Sequence, residues 1–109
     1  MQIQNVSFCT TDWNSLTRTE QPGETGMAYW RTVEVGNLRV RMVEYSPGYR
    51  ADHWCSKGHV LLVLEGELVT ELQNGQEHFL RAGMSYQVAD QAEPHRSHTT
   101  TGARLFIVD

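Results

Sequence analysis

The sequence has no basic excess: nine Lys and Arg stand against thirteen Asp and Glu, a formal charge of -4. A chain that grips nucleic acid must neutralise phosphates, so this balance argues against such a partner. Long apolar runs are also missing. The longest, Val60 to Leu64, falls far short of the roughly 20 residues a membrane helix needs. The opening stretch from Met1 to Thr11 holds neither a basic residue nor the apolar segment of a secretion signal. The expectation is a cytoplasmic protein without a membrane partner. Cysteine is scarce, and Cys9 and Cys55, in a chain without a secretion signal, read as thiols rather than a bridge. No internal repeat, low-complexity tract or linker is visible, and 109 residues suit one domain. What is present is enough apolar and aromatic matter for a core: 39% apolar residues, with three Trp, four Tyr and three Phe. Disorder is excluded on that composition.

Turn signals recur at Gly36-Asn37, Pro47-Gly48, Lys57-Gly58, Glu65-Gly66, Asn74-Gly75, Ala82-Gly83 and Thr101-Gly102. Such spacing marks the short strands of an all-β sandwich or barrel. Leu38, Val40 and Met42 alternate with Arg39 and Arg41, which predicts a strand with the apolar set buried. Val60 to Leu64 is apolar throughout and predicts a strand buried on both sides. Leu68, Thr70 and Leu72 alternate again before the hairpin signal Asn74-Gly75, and further strands are expected at His78 to Leu80, Ser85 to Val88 and Arg104 to Val108. Thr10-Thr11-Asp12 are placed to cap one helical turn through Trp13 to Leu16. Thr17 to Gly26, broken by Pro22, Gly23 and Gly26, reads as a loop or an edge-covering arm. The expected division is an N-terminal arm and loop over 1–30 and a barrel over 31–109.

The chemistry concentrates between Pro47 and Glu67. His53 and Cys55, two apart, would share one face of a strand, and His59 follows the Ser56-Lys57-Gly58 turn. His95 comes after Pro94, beyond a further strand and turn. Imidazole and thiolate are donors for zinc, iron, copper or nickel, whereas magnesium and calcium prefer oxygen. His98 lies an odd number of residues from His95 and should face away, His78 beside Glu77 reads as a surface residue, and Asp52 as a supporting or surface group.

These residues resemble the cupins. The first cupin motif, a Gly, His-x-His, a Glu and a later Gly, is matched by Gly48, His53-Trp54-Cys55, His59 after three residues, and Gly66 after six more. The second, which opens on Gly and ends on a metal-binding His, is matched at Gly83, with Ala89 and Gln91 where Pro and Gly are usual and His95 one residue later than the pattern places its His. More narrowly, the chain resembles small single-domain cupins labelled by a DHCW motif and without an assigned reaction; here the order is Asp52-His53-Trp54-Cys55. The resemblance implies a jelly-roll barrel, one transition metal near its axis and a homodimer. With Cys55 in place of the second His and His59 in place of Glu, the implied ligand set is His53, Cys55, His59 and His95. Its thiolate favours zinc, with iron, nickel or copper next. Trp54, Lys57, Tyr45 and Tyr86 are candidate walls of a substrate pocket. Two readings stand at this point: a metal-dependent enzyme of oxygenase or isomerase type acting on a small polar molecule, and a non-catalytic binding or sensing module with a structural metal. No nucleophile elbow is present, and no catalytic residue is assigned.

Overall fold

A computed structural model of the protein describes residues 2–109. The described residues form eight strands: β1 Thr19–Pro22, β2 Met27–Val35, β3 Leu38–Tyr45, β4 His59–Leu72, β5 Glu77–Arg81, β6 Ser85–Val88, β7 His95–His98 and β8 Ala103–Val108. A single 3-10 turn, Trp13–Ser15, precedes them, with the Asp12 side chain accepting from the Asn14 amide as the sequence predicts. The strands between Thr19 and Val35 begin inside the segment read as arm. Thr19–Pro22 is the edge strand of a sheet, antiparallel to β2, so the arm covers an edge by joining it. No helix among the described residues is long and apolar enough to cross a membrane.

All pairings are antiparallel, and β4 organises them. Its first half pairs with β6 and β8 and so continues the run β1-β2-β3-β8, while its second half pairs with β5 and β7 in a second sheet. The Glu65-Gly66 signal is therefore a bend inside one strand rather than a turn between two. The register shifts between Val63 and Glu65, and Gly66 has φ of 81° with its α-carbon packed on the Gly102 carbonyl, where a side chain has no room. The shift reverses the inward parity. Leu61 and Val63 point in before the bend, Leu68 and Thr70 after it.

Parity also corrects two sequence expectations. Val60 and Leu64 are 44% and 38% exposed, so this stretch buries one face, because the outer side of the barrel wall meets solvent. On β3 the period-two alternation holds but the inward set is Arg39, Arg41, Val43 and Tyr45, all of which line the interior cavity. Leu38, Val40 and Met42 lie on the half-buried outer face. That face is sheltered by the N-terminal turn: Trp13 packs edge-on against Phe106, the partner of Met42. On β8 the inward residues are Ala103, Leu105 and Ile107, and the same alternation carries Asp109 into the barrel. The core joins both sheets through Val43, Leu61, Val63, Leu68, Leu80 and Leu105. Each large side chain fully buried there contributes about 2 kcal/mol.

Candidate metal centre

The segment from Arg50 to Cys55 runs beside β7 without forming a regular strand. Bridges pair Arg50 with His98 and Cys55 with His95. Between them, five steps on one side face three on the other, so two residues are looped out as the bend at Asp52 and His53. The reciprocal main-chain bonds, Cys55 N–H to His95 carbonyl at 2.8 Å and His95 N–H to Cys55 carbonyl at 2.9 Å, set the two residues side by side. His59 opens β4. The preceding Gly58 packs so closely on Val88, Ala89 and Asp90 that a β-carbon would overlap their main chain, and its amide donates to Asp90 Oδ1 at 2.6 Å. An Asp90→Ala variant is expected to lose about 1 kcal/mol in chemical denaturation, the usual worth of such a bond.

Cys55, His59 and His95 each offer an atom, and these atoms lie within 4.8 Å of one another. His53 does not join them. Its imidazole, 71% exposed, sits at the cavity mouth with Nδ1 2.6 Å from Asp52 Oδ1. Strand parity would have turned His53 inward with Cys55, but His53 is itself one of the two looped-out residues, to which the alternation does not apply. Of the candidate pocket residues, Tyr45, Tyr86 and Lys57 line a cavity of about 420 Å³ that also contains the Cys/His cluster. Trp54 stands outside it, with the Arg96 guanidinium stacked 4.3 Å from its ring. His98 is likewise outside the cavity, His78 is exposed, and both cysteines are free thiols.

The protons in the cluster are set by its surroundings. His95 Nδ1 lies 2.8 Å from the Glu93 carbonyl, which can only accept, so Nδ1 carries the proton and Nε2 presents its lone pair. His59 Nδ1 is buried without a hydrogen-bond partner, and the nearest carboxylate oxygen, Asp109 Oδ2, is 3.9 Å away. His59 Nε2 instead faces two partners, the Tyr86 hydroxyl at 2.9 Å and His95 Nε2. The two Nε2 atoms are 3.2 Å apart, close to the roughly 3.3 Å spacing of two nitrogens held by tetrahedral bonds of about 2.0 Å. Two imidazole nitrogens and a thiol facing one another fit a transition metal. Burial, reinforced by His95, pushes the His59 pKa down to about 4, so its ring is neutral as a ligand must be. Burial works against the Asp109 carboxylate, but the Arg39 hydrogen bond and the Arg41 charge outweigh it and hold its pKa below the usual range. Burial raises the Tyr86 pKa, so its hydroxyl, 2.9 Å from His59 Nε2, keeps its proton.

The chain is similar to a sugar phosphate isomerase from a cupin superfamily of Silicibacter pomeroyi, at TM-score 0.74 and 19% identity over 92% of this chain and 74% of that one. It is similar also to a predicted oxalate decarboxylase from Thermotoga maritima, at TM-score 0.78 and 17% identity, covering 92% and 96%. The protein has the cupin fold. The cupin likeness extends to HppE in its Fe(II) form with an alternative substrate, at TM-score 0.77 and 17% identity over 96% of this chain and 62% of that protein. One of these neighbours carries Fe(II) in its structure, and in this chain Cys55, His59 and His95 are the donors placed closely enough to hold an ion. Comparison with family models and with curated protein sequences gives no match.

The residues that sequence reasoning missed are Arg39, Arg41 and Asp109, all in the cavity wall. The available signal was phase: Arg39 and Arg41 share the parity of Val43 and Tyr45, and Asp109 that of Leu105 and Ile107.

Proposed function

We propose that the protein is a metal-dependent enzyme of oxygenase or isomerase type, acting on a small polar molecule inside the barrel. The observation that carries this reading is the donor count. Three protein donors converge on the wall of a cavity large enough for a small ligand, and three donors leave coordination positions open, whereas structural sites are closed by four. The thiolate of Cys55 supports zinc, iron, nickel or copper over manganese. A metal held by Cys55, His59 and His95 would supply Lewis-acid or redox chemistry at an oxygen of the substrate. The chain's own residues do the rest. The Glu93 carbonyl holds the His95 proton on Nδ1, and the Tyr86 hydroxyl, still protonated, stands 2.9 Å from His59 Nε2 at the edge of the donor cluster. Tyr45, stacked on Tyr49 with ring centroids 4.1 Å apart, forms an aromatic wall of the cavity.

Cobalt(II) loading tests this. The expected result is a thiolate-to-cobalt absorption band that disappears in Cys55→Ser, and visible bands that shift when azide is added. A spectrum indifferent to azide, together with a large fall in melting temperature on chelation, would instead mark a closed structural site and the binding-module reading.

A further inference from the structure

The protein is acidic overall, yet its cavity wall has the opposite bias: Arg39, Arg41, Lys57 and Arg96 against Asp52 and Asp109. Arg96 is paired with Glu71 and Lys57 is exposed at the mouth, so neither lacks a partner or solvent. The inner pair is different. Arg39 forks onto both oxygens of Asp109 at 2.9 Å each, and Arg41 shares Oδ2 through Nη2 at 3.0 Å. One carboxylate therefore serves two guanidinium groups. The Arg41 side chain is only 7% exposed, and its Nε has no hydrogen-bond partner among the described residues. The same holds for the indole N–H of Trp30, whose ring lies 4.6 Å from the Arg41 guanidinium carbon. Buried charges and buried N–H groups are ordinarily paired, so this wall is short of one negative charge and of acceptor oxygens. The shortage adjoins the metal-ligand cluster, because the Asp109 oxygen that Arg41 contacts is also the one 3.9 Å from His59 Nδ1.

We propose that the cavity binds a small carboxylate, its carboxylate group held by Arg41 and a second oxygen turned towards Cys55, His59 and His95. A planar monoanion matches both the fork geometry of a guanidinium and the single uncompensated charge of the wall. The second contact rests on the metal reading above; the contact with Arg41 does not.

The test is calorimetric titration of cobalt-loaded protein with pyruvate, which carries a carbonyl oxygen next to its carboxylate, alongside propionate and inorganic phosphate. Pyruvate should bind more tightly than either. Arg41→Gln should weaken pyruvate at least tenfold with cobalt content unchanged. Arg39→Gln, at a side chain 37% exposed and therefore tolerant, should also weaken it, because Asp109 is then free to neutralise Arg41. Should cobalt fail to bind, the metal reading falls; pyruvate and propionate should then bind equally, and the Arg41→Gln loss still decides this inference. Equal pyruvate affinity in the wild type and both variants, no binding by the wild type, or phosphate binding as tightly as pyruvate would overturn it.

Discussion

A His95→Ala variant is expected to bind zinc at least a hundredfold more weakly than the wild type in chelator competition, while keeping its fold. Loss of a group that merely orients a ligand costs roughly 10–100-fold, so loss of a ligand should exceed that. His95 is 3% exposed and contributes one of the two imidazole nitrogens 3.2 Å apart. The contact that seats Cys55 is nevertheless made by main-chain atoms and survives the substitution. His53→Ala supplies the contrast. That imidazole reaches solvent and Asp52 rather than the cluster, so zinc affinity should change by about twofold or less, the scale of a surface substitution. A His53→Ala loss as large as that of His95→Ala would return His53 to the ligand set.

The second large effect concerns acid. In the metal-free protein the His59 pKa is depressed from 6.5 to about 4, first by burial and then by His95. Between those values the unfolded chain binds a proton that the folded chain does not, so stability is full above about pH 6.5 and falls as pH drops towards 4. The linkage amounts to about 3 kcal/mol across the window. Urea denaturation in the presence of a chelator, repeated through that range, should show the decline, and His59→Gln should flatten it. Asp109 falls in the same direction, since its pKa is also held below the usual range, but its loss belongs to more acidic conditions. An unchanged slope in His59→Gln would mean that other groups carry the acid sensitivity.

The convergence of Cys55, His59 and His95 was legible because motif spacing is a local property: a donor, a turn and the head of a strand survive in the sequence as short intervals. His53 was misplaced because the sequence counts residues, whereas the barrel counts hydrogen-bonded pairs, and two residues between Arg50 and Cys55 are outside the count. The same distinction explains β4. Its bend at Gly66 reads as a turn, since glycine with positive φ serves both, and only the pairing of each half with a different sheet separates them. Arg41 and Asp109 were hidden for a different reason. Burial of a guanidinium runs against its usual place at the surface, and it becomes tolerable here through a carboxylate 68 residues away in the chain. Such a pairing leaves no local trace.

The continuity of β4 also bears on how the molecule breathes. His59 begins a strand that runs through both sheets and is paired there with Val88 of β6, so its segment is held by a continuous ladder and should exchange its amides more slowly than the irregular segment before it. Cys55 is different: one isolated bridge secures it at the end of an irregular segment, which can open alone. An ion held by both would therefore escape by release of the sulfur side first, and its residence time would be governed by the opening of a few residues rather than by the stability of the protein.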